Sequence, residues 1–354
     1  MKKKSLLIAI IAILAMTMTL FAGCGGGSDD GGDGSAAGGD QTYTLKMGGV
    51  DAPDDVSTQT MEKFAELVNE KTGGAVTIET YPAGQLGNYD EMYQEIKKGN
   101  LDAGLFTVYG SDTDPAIEIL YLPFASTDME SWKKLVEYGG DFWNEIESIH
   151  ADQGVQLLGL YNNGFLGLAY AKLKETPETG LFDFSQKKDE LMRVPGMESM
   201  QKSCEGMGYS TTVMAYTDVY TALQTGTVDG SWAGGPTLNY YNFRDVIKYF
   251  ADLKASTDVY CMVMNKEILE GMPEEYQTAI KEAGLEACDF GNDLQEEKDV
   301  ELLKKMEEEG ITVYVPTDEQ RAEMQKYFIE NVWPQITGPF NQDLVKKISD
   351  NLGI

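Results

Sequence analysis

Histidine is almost missing from this chain of 354 residues, and cysteine is scarce. The single histidine is His150, and the four cysteines are Cys24, Cys204, Cys261 and Cys288. One imidazole excludes a multi-histidine metal centre. A histidine-dependent triad would have to rest on His150 alone, which follows an apparent helix end. No two cysteines form a C-x-x-C pair, so neither a zinc site nor a disulfide scaffold is expected. Cys204, Cys261 and Cys288 read as buried small hydrophobes. A G-x-S-x-G nucleophile elbow is also missing. The sequence therefore calls for no catalysis, no metal and no cofactor.

Positive charge is in short supply as well. Lys and Arg number 28 against 58 Asp and Glu, a formal charge of −30. Such a surface suits neither nucleic acid nor anionic lipid headgroups. It also opposes an approaching anion, so capture of an anionic ligand needs a local, buried cation.

The front of the chain reads as an export signal. Lys2, Lys3 and Lys4 precede an uncharged apolar stretch from Leu6 to Leu20, which ends at Leu20-Phe21-Ala22-Gly23-Cys24. Small residues before a cysteine suit lipoprotein processing. A plain secretory signal and an uncleaved anchor are the alternatives, but the cysteine falls where the apolar run stops. We expect residues 1–23 to be a lipoprotein signal peptide. Cys24 is then the lipidated residue, and 24–41 form a flexible Gly/Asp-rich tether. This places the protein outside the cytoplasm, lipid-anchored to the outer face of the cytoplasmic membrane. Loss of residues 1–23 removes three lysines and no acid, deepening the charge from −30 to −33.

The remaining chain is long enough for two α/β domains. Tyr43-Leu45-Met47 alternates as a strand, and Met61, Phe64, Ala65 and Val68 follow at helical spacing. Val76-Ile78-Thr80 reads as a strand, and Asn88 with Glu91 as a helix cap. Asp102 to Val108 predicts a strand, and Trp132 to Ile149 a helix. Gln156–Leu160 and Phe165–Ala171 read as two strands, Met192–Val194 as another. Helices are predicted near Ser199–Met207 and Thr217–Gln224. Pro273 opens a long helix running to about Glu309, with the stripe Tyr276, Ile280, Ala283, Ala287, Phe290, Leu294. A coiled-coil partner is one reading of that stripe. A spine across both domains fits better, because the pattern breaks after Leu294. Thr317 with Gln320 caps a further helix.

One arginine stands in an apolar strand, Leu191-Met192-Arg193-Val194-Pro195. A cation there is costly unless an anion meets it. A structural carboxylate or a captured ligand would serve.

Taken in order, these segments resemble the solute-binding proteins of tripartite ATP-independent periplasmic (TRAP) transporters, the DctP/SiaP-like family. The resemblance covers residues 43–335. It rests on Tyr81-Pro82-Ala83-Gly84-Gln85-Leu86-Gly87, Lys98-Gly99-Asn100-Leu101-Asp102-Ala103, Leu120-Tyr121-Leu122-Pro123-Phe124, Arg193-Val194-Pro195 and, most specifically, Val219-Tyr220-Thr221-Ala222-Leu223-Gln224-Thr225-Gly226-Thr227-Val228-Asp229-Gly230. It implies a two-lobe α/β clam-shell of the periplasmic-binding-protein kind, with mixed sheets, crossing strands and a long spanning helix. Lobe I would hold residues 42–168 plus about 258–272, and lobe II 169–257 plus about 310–354. Residues 273–309 would be the helix between them. The resemblance further implies capture of a small organic acid and its delivery to TRAP permease membrane subunits, by a monomer that catalyses nothing. A binding lipoprotein feeding a sensor kinase, and a surface-anchored hydrolase, are the alternative functions.

The resemblance places the ligand carboxylate on Arg193 and an aromatic contact on Tyr216. Trp232 replaces an acidic residue of the sialic-acid type, and Ala233 replaces its ligand-bonding asparagine. The first lobe's acidic contact aligns near Thr107, with Tyr109 close by. Phe165 stands where many relatives have arginine. Asn162 and Asn163 either face the cleft or form a turn. Arg244 reads as a second cation for the ligand or, with Asp245 beside it, as a surface pair. The losses share a direction, away from a hydroxyl-rich sugar acid. They point to a smaller or more apolar monocarboxylate packed against Tyr216 and Trp232.

Overall fold

The computed structural model describes residues 41–352 apart from 111, 112 and 233. The signal peptide, Cys24, the tether up to Asp40, and Ala233 lie outside the described residues.

Alternation of apolar side chains builds Tyr43–Gly48 (β1), and a 3.6-residue stripe builds Val56–Lys71 (α1). Asp55 caps α1 by accepting from Ser57 N at 3.0 Å. Gly73 and Gly74 then take positive φ (59° and 85°), which ends the helix and turns the chain into Val76–Tyr81 (β2). Asn88 and Glu91 form the expected capping box on Tyr89–Lys97 (α2). Ala103–Phe106 (β3) is shorter than its apolar run, so Thr107 to Tyr109 leave the sheet.

The helix expected over 132–149 is two helices, Met129–Leu135 (α3) and Asp141–Ala151 (α4). Gly139 at φ 75° interrupts them, and Gly140 is the N-cap of the second. His150 thus lies inside the last turn of α4. The two strands expected around 156–171 also change. Val155–Phe165 (β4) is one 11-residue strand that runs through Asn162 and Asn163, which excludes the turn reading. Leu168–Tyr170 (β5) follows it.

Next come Leu191–Val194 (β6), Glu198–Gly206 (α5), Ser210–Val213 (β7) and a 3-10 turn at Tyr216–Asp218. Val219–Thr225 (α6), Gly230–Trp232 (β8), Pro236–Phe243 (α7), Tyr249–Ala251 (β9) and Thr257–Asn265 (β10) complete the middle of the chain. After Lys266–Glu270 (α8) comes the long helix Glu274–Glu308 (α9), 35 residues and about 50 Å at 1.5 Å per residue. Thr312–Tyr314 (β11), Asp318–Asn331 (α10), Trp333–Ile336 (α11) and Gln342–Asn351 (α12) close it.

The strands form two mixed sheets. One has the order β2-β1-β3-β10-β4, the other β11-β9-β5-β8-β6-β7. In the first, β1 is parallel to β2 and β3, while β10 is antiparallel to β3 and β4. The chain passes between sheets three times: once from β10 to β11 through α8 and α9, and in two short crossings, from β4 to β5 and from β9 to β10. The two crossings run side by side, with Leu166 N donating to Ser256 O at 2.8 Å.

Helix α9 packs on α1 and β4 at one end and on α7 and β11 at the other. Small residues allow the close approach to β4. A Cβ on Gly284 would lie 2.6 Å from the Leu158 carbonyl, and one on Gly159 would lie 2.4 Å from Cys288 Sγ. The buried face is therefore Ala283, Gly284, Ala287, Cys288 and Gly291. Phe290, expected on that face, is 39% exposed, because it sits a turn's fraction outside the small-residue stripe. The C-terminal helices tie together the segment after Tyr121 and helix α5. Trp333 Nε1 donates to Pro123 O at 2.9 Å, and Tyr327 OH to Gly206 O at 2.9 Å. Cys204, Cys261 and Cys288 are free and buried.

Candidate functional site

Arg193 sits on β6 with only 2% of its surface exposed. Its Nε donates to Met214 O at 3.0 Å. Among the described residues it makes no ion pair and no other hydrogen bond, leaving its terminal nitrogens uncommitted. It borders a cavity of about 40 Å3, room for a few water-sized molecules. Four larger hollows, of about 280 to 430 Å3, open elsewhere on the surface. Among the described residues none of them is lined by a buried cation.

The cavity lies between the two sheets, beyond the carboxyl ends of β1, β3 and β6. Open α/β sheets leave ligand crevices there, where the connecting loops diverge. Val50 follows β1, Thr107 and Tyr109 follow β3, and Pro195 and Met197 follow β6. The Tyr109 ring packs 4.7 Å from the Tyr89 ring, centroid to centroid. Tyr216 enters from the 3-10 turn, Leu238 and Phe243 from α7, Asp258 and Tyr260 from β10. The structure thus brings Arg193, Tyr216, Thr107 and Tyr109 together around one hollow.

Trp232, Asn163 and Phe165 do not line it. Arg193 pairs in register with Ser231, so those two side chains share a face of the sheet. Trp232, one residue on, turns to the other face and is buried in the core with Met192 and Val194. Phe165 belongs to the same core. Asn163 is fully buried and acts at one remove: its Nδ2 donates to Asp258 Oδ2 at 3.1 Å. Asn162 holds the strand, its Oδ1 accepting from Gly164 N at 3.0 Å. Arg244 is exposed and forms no pair with Asp245. It lies over the Tyr240 ring, 5.0 Å from the centroid, because positions four apart on a helix meet and adjacent ones diverge.

Asp258 is a cavity residue that the sequence reading passed over, as are Tyr89 and Tyr260. The signal was available. Asp258 is the one charge in the apolar run of β10, the argument that singles out Arg193. Burial pushes its carboxyl up to about 7, against the pull of Asn163 and Arg193. Behind the wall stands Asp51, 2% exposed, whose Oδ2 accepts from Ser57 Oγ at 2.7 Å while Oδ1 has no partner. Burial raises its pKa too, and the Ser57, Tyr260 and Tyr216 hydroxyls draw it back. The Tyr216 hydroxyl is itself buried without a partner in hydrogen-bond geometry.

His150 lies elsewhere, fully buried, with Nδ1 2.9 Å from the Tyr93 hydroxyl. Burial depresses its pKa to about 3, so it stays neutral. Among the described residues no cluster of His, Cys, Asp and Glu is arranged to hold a metal. Nor is any helix there long and apolar enough to cross a membrane.

Comparison with known proteins agrees with this architecture. The chain is 26% identical over 311 residues to the C4-dicarboxylate-binding periplasmic protein DctP of Rhodobacter capsulatus, covering 87% of this chain and 88% of that protein. It is 24% identical to the sialic acid-binding periplasmic protein SiaP of Vibrio cholerae, covering 86% and 92%. A TRAP periplasmic solute-binding protein from Desulfovibrio salexigens, solved with orotic acid, superposes with a TM-score of 0.77 at 23% identity. That match covers 87% of this chain and 98% of the other. One from Sulfurospirillum deleyianum, solved with succinate, gives 0.76 at 23% identity over 87% and 98%. Residues 47–337 match the DctP family, described as bacterial extracellular solute-binding protein, family 7. With most of its length matched in this way, the chain belongs to that family of solute-binding proteins.

Proposed function

We propose that this protein captures a small organic carboxylate in the cavity between its sheets and delivers it to the membrane subunits of a TRAP-type transporter, without chemically changing it. One observation carries the reading: Arg193 is buried in an acidic protein with its terminal nitrogens uncommitted. A guanidinium offers two parallel N–H donors that match a planar carboxylate. The relatives and solved neighbours named above carry dicarboxylate, sialic acid, orotate and succinate in their descriptions, and all of these are carboxylates.

A cavity of about 40 Å3 is too small for such a molecule, so binding requires the sheets to part. The two sheets act as lobes, residues 42–168 with 258–272 around one and 169–257 with 310–354 around the other. The crossing strands and α9 form the hinge. A ligand held from both sides then favours the closed state. Attachment through Cys24 would keep the protein beside its transporter on the outer face of the membrane.

The wall around Arg193 sets Val50, Leu238, Phe243 and two methionines beside the hydroxyls of Thr107 and four tyrosines and the carboxyl of Asp258. A smaller acid fits it best, because on the apolar side a sialic acid would leave hydroxyls unpaired at about 1–3 kcal/mol each. A thermal-shift screen of small carboxylic acids tests the proposal. A ligand should raise the melting temperature and be recovered unchanged by mass spectrometry. Conversion of the ligand, or tight sialic acid binding with no response to smaller acids, would refute it.

A further inference from the structure

The charges on the cavity wall do not balance for a simple acid. Among the described residues Arg193 is the one cation that lines it, and Asp258 lines it as well. Asp51, almost fully buried, stands behind Tyr216 and Tyr260 with one oxygen unpartnered. A ligand carrying only a carboxylate would satisfy Arg193 and leave Asp258 and Asp51 without a countercharge in a closing, water-poor site. Both carboxyls, already raised by burial, would then take up protons or remain as desolvated like charges, and above about pH 7 either opposes closure. A ligand that also carries a positive charge removes the imbalance.

Granting that Arg193 receives the carboxylate, we propose that the ligand is zwitterionic, with a cationic nitrogen that meets Asp258 while its carboxylate meets Arg193. Three features of the wall suit that nitrogen. Asn163 fixes one oxygen of Asp258 by its 3.1 Å bond, which orients the carboxyl. The rings of Tyr109, Tyr216 and Tyr260 line the same hollow, and aromatic faces attract cations. Among the described residues the hydroxyl of Tyr216 makes no hydrogen bond of good geometry, although Asp51 lies near it. α-Amino acids and betaines carry the required pair of charges.

The direction of a pH effect separates this from capture of a plain acid. The charged groups facing Asp258 are Arg193 from β6, Asp51 from the loop between β1 and α1, and Asp299 from α9. Burial pushes the surrounding tyrosines well above the usual phenol range, so they stay neutral. With Asp258 near 7, a cationic partner favours its ionised form. Zwitterion affinity should then fall as pH drops below about 7. A plain carboxylate favours the protonated form, and its affinity should rise over the same interval. Asp299 also titrates near 7, so the Asp258 variant is needed to assign the profile.

The experiment titrates the full protein calorimetrically with matched pairs, amino acids and betaines beside their deaminated carboxylates, at pH 6, 7 and 8. We expect a zwitterion to bind at least tenfold tighter than its deaminated counterpart. Asp258→Asn keeps the shape and the Asn163 contact, and it should bring that ratio to about one and flatten the pH profile. Should that variant fold poorly, the affinity ratio within each matched pair decides on the wild type. Equal or tighter binding of the deaminated acid, with affinity rising at low pH, overturns the zwitterion and leaves the carboxylate reading intact. Binding of neither class overturns both.

Discussion

Among the described residues Lys188 and Arg193 are the buried cations, and the protein treats them in opposite ways. Lys188, 1% exposed, is surrounded: its Nζ lies 3.0 Å from Glu175 Oε2 and donates to the carbonyls of Gly180 and Asp183. Three donors meet three acceptors. Arg193, five residues along, has five N–H donors and commits one to Met214 O. A buried charge satisfied by its own chain is structural. A buried charge left open beside a cavity is poised for something else. That difference, more than burial, marks Arg193 as the binding cation.

Substitutions should therefore split the pair. The largest expected effect is on ligand affinity in Arg193→Met, a loss of at least about 100-fold, because a buried charge pair loses one partner. Its melting temperature without ligand should equal or exceed the wild type's, since an open buried cation has been removed. Lys188→Met should do the reverse. Urea denaturation should show a loss of about 2 kcal/mol from stranded carbonyls and Glu175, with affinity unchanged. If both variants lose stability alike, the contrast fails.

A pH measurement sharpens the comparison by adding the buried carboxyls. Burial, foremost, raises Asp299 to about 7 despite its bonds from Thr237 and Gln295. Its folded value exceeds its unfolded one, so its contribution to stability is complete below about pH 4 and is lost as pH rises through 7. Asp299→Asn should therefore melt higher than wild type at pH 8 and nearly equally at pH 4. Equal differences at both pH values would show that Asp299 does not titrate in that range. A smaller effect is expected for Tyr216→Phe, which removes a hydroxyl that makes no hydrogen bond of good geometry among the described residues. Ligand affinity should drop by about 1 kcal/mol if the ligand uses it, and stability should not fall. Arg244→Ala should change affinity by less than about 0.5 kcal/mol, because it lies on the surface over Tyr240.

Much of the fold was legible in the sequence because its signals are local. The Asn88–Glu91 and Thr317–Gln320 caps mark two helix starts, and the glycines after Lys71 mark a helix end. The break between α3 and α4 was missed because apolar spacing continues across it while Gly139 alone reverses the backbone. Strand β4 runs through Asn162 and Asn163 because β10 and Asn292 supply bonding partners that no local pattern shows. Asn292 Oδ1 accepts from Asn162 N at 2.8 Å.

The site divides along the same line. Arg193 announces itself as a charge among apolar residues, and Asp258 does so in β10. Which neighbours share their face depends on register. The pairing of Arg193 with Ser231 turns Trp232 into the core, and one residue of offset would have reversed that. Pairing between distant strands is a property of the assembled sheet, so the aromatic wall could only be read after assembly.

The central claim is that Arg193 is held open for a ligand carboxylate. A crystal structure of the protein with the best binder from the carboxylate screen tests it most directly. The account predicts both carboxylate oxygens within about 2.7–2.9 Å of the terminal nitrogens of Arg193. A ligand bound elsewhere, with Arg193 turned to a carboxylate of the protein itself, would contradict it.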